Sequence, residues 1–245
     1  MRKNVLITGA SGGIGEAMCR EFAKNGYNVV IHYNSSEEAA LKLQQEIESQ
    51  YQVKAVPIKA DLRNSDDVKA LARKATAIIG NTDVLINNAG VAYLTLFQTA
   101  DDNKVRELFD INLMSAMNLT KEILPSMIRN QSGRIINISS MWGIAGASCE
   151  VHYSASKSAL IGFTKALAKE VGPSGITVNC IAPGYIDTKM NSSIDDESVA
   201  EIVEATPMGR KGRPEDVSAL AMFLAGENAD FITGQVISVD GGYGV

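Results

Sequence analysis

Cysteine is scarce in this sequence, and its three residues, Cys19, Cys149 and Cys180, are far apart and never form a CxxC pair. That excludes a disulfide framework and a thiolate zinc cluster, and it fits a reducing cytosol. Histidine is scarcer still: His32 and His152 stand alone, no HExxH-type site exists, and no metal is expected. No apolar run approaches the ~18 residues of a membrane span. The start, Met1-Arg2-Lys3-Asn4-Val5-Leu6-Ile7-Thr8-Gly9, leaves its apolar stretch too soon for a signal peptide. A cytoplasmic location without membrane contact is the expectation. Positive charge is also short, with Lys plus Arg at 23 against Asp plus Glu at 28, a net charge of −5. A phosphate-backbone binder carries the opposite balance, so nucleic acid is not an expected partner.

What is present is an ordinary globular composition, 45% hydrophobic and 21% charged over 245 residues. The length fits one domain spanning the whole chain, residues 1–245. Short β-branched runs at 5–8, 28–33, 53–58, 84–87, 134–139, 177–181 and 236–239 alternate with segments of helical period. Strands separated by helices run parallel, because no hairpin connects them. The expected fold is therefore α/β: a Rossmann-type doubly wound parallel sheet of about seven strands with helices on both faces. Ligands of such a sheet bind beyond the carboxyl ends of its strands. The least patterned stretch, residues 184–212, follows a predicted strand and reads as a substrate lid.

Directly after the first strand comes Thr8-Gly9-Ala10-Ser11-Gly12-Gly13-Ile14-Gly15, and then a helical stretch. Glycines let the backbone N–H groups close on a pyrophosphate, and the helix start adds partial positive charge. Gly9, Ser11, Gly12, Gly13, Ile14 and Gly15 are thus candidate cofactor residues. No Lys-Ser or Lys-Thr follows the last glycine, which disfavours a nucleotide-hydrolysing P-loop. An acid at the end of the second strand would bind the 2′-hydroxyl of NAD and repel a 2′-phosphate; here that end reads Tyr33-Asn34-Ser35. The same absence counts against a methyltransferase. NADP(H) is favoured over NAD(H), although no Arg or Lys stands nearby in the sequence.

Tyr153-Ser154-Ala155-Ser156-Lys157 opens a strong helical segment, so Tyr153 and Lys157, four apart, share a helix face. A phenol near pKa 10 needs ~3 units of lowering to ionise at neutral pH, roughly 4 kcal/mol of preferential phenolate stabilisation. Lys157 and an oxidised nicotinamide would supply that positive charge. Ser139-Ser140 closes the fifth predicted strand thirteen residues earlier, where a hydroxyl could meet a carbonyl substrate.

With these motifs the sequence resembles the short-chain dehydrogenase/reductase family over essentially its whole length. The resemblance places residues 8–15 on the pyrophosphate and Asp61-Leu62 on adenine. Asn88, Ala89 and Gly90, within Asn87-Asn88-Ala89-Gly90, would line the cofactor. Pro183, Gly184, Ile186 and Thr188 would contact the nicotinamide end. Asn112, Ser140, Tyr153 and Lys157 become the catalytic tetrad, with Asn112 holding a relay water and Lys157 binding the nicotinamide ribose. The implied activity is an NAD(P)-dependent oxidoreductase that reduces a ketone to a secondary alcohol without a metal. A sensor or scaffold that keeps the fold without turnover typically lacks the tyrosine or the lysine; both are present.

Within the family the likeness is greatest to the 3-oxoacyl carrier-protein reductases of fatty-acid synthesis, through Gly133-Arg134-Ile135-Ile136, Ala182-Pro183-Gly184 and Asp240-Gly241-Gly242. Two arginines that would dock an acidic carrier protein are replaced by Gln131 and Ser174, with Arg129 and Arg134 as possible substitutes. Glu150, three residues before Tyr153, and Trp142, two after Ser140, are candidate substrate residues. The run Trp142-Gly143 to Lys157, containing Ser148-Cys149-Glu150, resembles the reductases of a 5-aminopentanone group on elongation factor P. A carboxylate at the mouth favours a cationic substrate. Both ketones remain open. The family usually forms homotetramers, so that assembly is the expectation.

Overall fold

The computed structural model describes residues 2–189 and 195–244. The chain alternates strand and helix: β1 (Asn4–Ile7), α1 (Gly13–Lys24), β2 (Asn28–Tyr33), α2 (Glu37–Tyr51), β3 (Ala55–Lys59), α3 (Ser65–Ile79) and β4 (Val84–Asn87). Then come α4 (Asp102–Phe109), a π-helical turn (Asp110–Met114), α5 (Ser115–Asn130), β5 (Gly133–Ile138), α6 (Trp142–Ala145) and α7 (Val151–Val171). β6 (Ile176–Pro183), α8 (Asp196–Ala205), α9 (Pro214–Ala225) and β7 (Val236–Val239) follow. All seven strands are parallel, in the order β3-β2-β1-β4-β5-β6-β7. The strands expected from the sequence are all there, with ends shifted by a residue or two. Strand order reverses between β1 and β4, which is where such a sheet opens a crevice.

Alternate side chains of each strand feed opposite cores. Val5 and Ile7 join Met18 and Phe22 of α1, Leu43 and Ile47 of α2, and Val217 and Leu224 of α9. Leu6 faces the other way, with Leu71 of α3, Leu119 and Ile123 of α5, and Ala168 of α7. Burying each large side chain contributes about 1.5–3 kcal/mol, so strand direction and register are fixed from both faces.

Residues 184–212 read as unpatterned in the sequence, yet they contain α8. The reason is that α8 buries none of its residues fully and so needs no apolar stripe; its start is set by Asp195, whose carboxylate accepts the Ser198 N–H at 2.8 Å. Residues 190–194 of the expected lid lie outside the described residues. No described helix is long and apolar enough to cross a membrane.

Candidate active site

The crevice begins at the turn after β1. Gly9 has φ +61°, and a Cβ there would lie 2.9 Å from the Ala89 Cα, so only glycine lets the turn approach the loop after β4. Thr8 Oγ1 accepts the N–H groups of Asn88 and Ala89, both at 3.0 Å. The Asn88 amide donates back to the carbonyls of Thr8 (2.9 Å) and Gly9 (3.1 Å). The two loops at the switch point are thereby one unit. α1 starts at Gly13 with no side-chain cap, leaving its first N–H groups to a ligand.

One cavity of about 920 Å³ runs from this turn to the start of α7. It brings together Gly9, Ser11, Gly12, Gly13, Ile14, Asn88, Ala89, Gly90, Ser140, Trp142, Glu150, Tyr153, Lys157, Pro183, Gly184, Ile186 and Thr188. Uncapped helix N–H groups at one end and acid–base side chains at the other suit a dinucleotide laid along the cleft. Other expected residues stand back from it. Gly15 packs against the Gly9 carbonyl beneath the turn. Tyr33 is buried, with its hydroxyl on Glu37; Asn34 and Ser35 are exposed and not part of the cavity wall. Asp61 is bound by Arg63 at 2.6 Å, and Leu62 is buried in the core beside α3.

Three features were not legible in the sequence. His32 is buried and neutral, its Nδ1 accepting the Gly9 N–H at 3.0 Å while Nε2 faces the Ala60 carbonyl at 3.1 Å. Burial pushes its pKa down to about 4. Arg20 of α1 and Lys42 of α2 both line the cavity, and Arg20 is held by Glu16 and Glu46, each at 2.6 Å. Ser156, fully buried, accepts from the Asn112 amide at 3.0 Å and donates to the Tyr153 carbonyl at 2.8 Å.

Lys157 is buried, its Nζ donating to the Ile138 carbonyl at 2.9 Å. Tyr153 stands beside Ser140, whose hydroxyl can donate to a phenolate and whose oxygen accepts the Trp142 N–H at 3.2 Å. Asn112, in the π-turn, grips Val91 through both amide atoms, at 2.8 and 3.0 Å. It is buried, and its amide ties the Val91 segment to Ser156 of α7. Burial pushes the Tyr153 phenol up to about 12, with the Ser140 hydrogen bond opposing and the Glu150 carboxylate adding to the rise. The lowering expected from Lys157 with an oxidised nicotinamide belongs to the loaded site; in the chain alone burial dominates and leaves the phenol protonated. Lys157 is driven down to about 8 by burial.

Glu150 is half-buried at the mouth, its carboxyl raised by burial alone, and it has no cationic partner among the described residues. His152 turns away from the cleft and stacks on Phe97 at 5.1 Å. Gln131 ends α5 and Ser174 precedes β6, so both sit at the amino edge of the sheet, opposite Tyr153. Arg134 is anchored there too, on the Gly133 carbonyl at 3.0 Å. Within one chain these positions and the catalytic mouth face different directions. Among the described residues no cluster of three or more His, Cys, Asp or Glu could hold a metal ion.

A sheet of this order with a Tyr–Lys helix face at its carboxyl edge defines a Rossmann-type oxidoreductase. The family model for short chain dehydrogenase matches residues 3–198, and the chain belongs to that family. It is 41% identical to the uncharacterized oxidoreductase YmfI of Bacillus subtilis, over 99% of both chains. It is 39% identical to the 3-oxoacyl-[acyl-carrier-protein] reductase FabG of Chlamydia muridarum, over 99% of this chain and 97% of that one. Among solved structures it superimposes with TM-score 0.94 and 34% identity on a blue fluorescent protein from a metagenomic library in complex with NADPH, covering 99% and 98% of the two chains.

Proposed function

We propose that this chain is an NADP(H)-dependent carbonyl reductase that turns a 3-oxoacyl thioester, carried on acyl carrier protein, into its 3-hydroxy form. The observation that carries the reaction type is that Ser140, Tyr153 and Lys157 line the same cavity as the glycine turn. Bound reduced nicotinamide would supply hydride to the carbonyl carbon. Ser140 donates to the carbonyl oxygen and polarises it. Tyr153, kept protonated by burial, gives its proton to that oxygen as negative charge develops there. Lys157 returns a proton to the phenolate, while Asn112 and Ser156 hold the first turn of α7 in register.

For the cofactor, the absence of an acid at the end of β2 and the presence of Lys42 on the cavity wall formed by α2 support a 2′-phosphate. The relative solved with NADPH supports the same choice. The carrier-protein substrate is supported by the FabG relative. Oxidation of NADPH in the presence of an acetoacetyl thioester, with NADH as the comparison, tests both. No oxidation with either dinucleotide would overturn the reading.

A second substrate reading rests on Glu150. A half-buried carboxylate with no ion-pair partner among the described residues is costly in the free protein and is relieved by a positively charged ligand. The 5-aminopentanone group on elongation factor P has that chemistry, and a comparison of amino ketones with neutral ketones separates the two substrates. The chain as one cytoplasmic domain, assembled as a homotetramer, completes the proposal. Met114 and Met117 beside α5 remain about 40% exposed and suit an interface between copies; a solution mass of four chains is the expected result.

A further inference from the structure

The cavity wall opposite the glycine turn depends on a residue that does not line it. Trp142 opens α6, lines the cleft, and gives its backbone N–H to the Ser140 hydroxyl. Its indole meets the Tyr243 ring edge-on, centroids 5.6 Å apart and planes at 83°. Tyr243 lies beyond β7, a hundred positions away, in a turn that is firmly built. The Asp240 carboxylate accepts the N–H groups of Gly242 at 3.0 Å and Gly244 at 3.2 Å. Gly241 and Gly242 hold φ of +67° and +88°.

The same turn also packs on two other walls. A Cβ on Gly184 would lie 2.7 Å from the Asp240 Cα, so the turn seats directly against the Pro183–Gly184 corner. Gly241 accepts the Met208 N–H at 3.1 Å, which joins the turn to the segment after α8. With its base fixed at these points, the turn can hold Tyr243 against the indole from the side away from substrate. An edge-to-face pair of this kind prefers one relative orientation, and so restrains the side chain that faces the cavity.

We infer that Tyr243 is a positioning residue for substrate choice: it holds the Trp142 indole as the wall against which the ketone's substituents pack. The inference rests on the carbonyl-reductase reading for its substrate, but the restraint itself does not. Removing the Tyr243 ring frees the indole and widens that side of the cavity, while leaving the dinucleotide turn, Tyr153 and Lys157 as they are. A hydrophobic wall discriminates modestly, on the order of tenfold to a hundredfold between substrates that differ in bulk.

The test uses the full-length chain and its Tyr243→Ala and Tyr243→Phe variants. Trp142 is the sole tryptophan, so acrylamide quenching of its fluorescence reads the restraint directly, and kcat/KM for an aryl ketone relative to a methyl ketone reads the consequence. In Tyr243→Ala quenching rises, the aryl-to-methyl ratio rises by about tenfold, and the KM for NADPH stays within about twofold; Tyr243→Phe restores the parent values. Unchanged quenching in Tyr243→Ala overturns the inference, and so does raised quenching with an unchanged ratio. Should the parent chain reduce no ketone, the functional reading fails and quenching alone decides whether Tyr243 restrains the indole.

Discussion

Lys157 follows Tyr153 by one helical turn, with its ammonium 5.7 Å from the phenol ring centroid and anchored on the Ile138 carbonyl. Burial acts on the two groups in opposite directions. The phenol rises to about 12 and the ammonium falls to about 8, because each prefers its neutral form away from water. At neutral pH the tyrosine is a stored proton, which is the form a carbonyl reduction needs. Lys157 titrates close to neutrality and is suited to passing protons on.

Replacing Tyr153 by Phe removes the proton donor and keeps the ring. Ketone reduction is expected to fall by about 10²–10⁴-fold in kcat, with the NADPH dissociation constant and the melting temperature close to those of the parent. Steady-state rates, a fluorescence titration with NADPH and a thermal melt read the three quantities.

The pH profile follows from Lys157. Tyr153 stays protonated across the working range, so the reduction rate is flat at lower pH and declines as pH rises through about 8, where Lys157 loses its charge. Lys157→Arg carries a cation that does not titrate, and its residual rate is expected to lose that decline. A profile for the parent that rises through pH 8 would contradict the assignment.

Stability moves the other way. Below about 8 Lys157 is charged in both states and its burial opposes folding; between about 8 and its ordinary 10.5 it is neutral when folded and still charged when unfolded. Folding stability attributable to this group therefore increases with pH over that window, by on the order of 3 kcal/mol if the full shift is realised. Lys157→Met is expected to be inactive yet at least as stable as the parent at pH 7, and to lose this pH dependence in denaturant titrations. Marked destabilisation at pH 7 would show that the ammonium contributes net stability through its hydrogen bond.

Glu150→Gln preserves shape and removes charge. If a cationic ketone is the substrate, the variant loses about tenfold or more of its preference for amino ketones over neutral ketones of equal length, roughly 1.4 kcal/mol. Because Glu150 raises the Tyr153 phenol, the variant also titrates that phenol at lower pH. An unchanged preference would leave the acyl-thioester reading in possession of the site.

Much of this was written in local sequence. The turn after β1 is legible because glycine is required where φ is positive and backbones touch, as at Gly9, and the Tyr153–Lys157 face follows from helical spacing. What stayed hidden depends on chain crossings. His32 supports Gly9 from the neighbouring strand, Arg20 and Lys42 line one cavity from two helices, and Tyr243 reaches Trp142 from the far end of the chain. The inner face of α7 carries Ser154, Lys157 and Thr164, polar groups that disguise a buried stripe.

The most direct test of the chemistry follows label and proton together, using NADPH deuterated at both C4 positions with a ketone substrate. In the parent chain, deuterium appears on the carbinol carbon of the product, and in Tyr153→Phe the dinucleotide binds equally well while labelled alcohol forms at least a hundredfold more slowly. Labelled alcohol formed at the parent rate by Tyr153→Phe, or product without deuterium at that carbon, would contradict it.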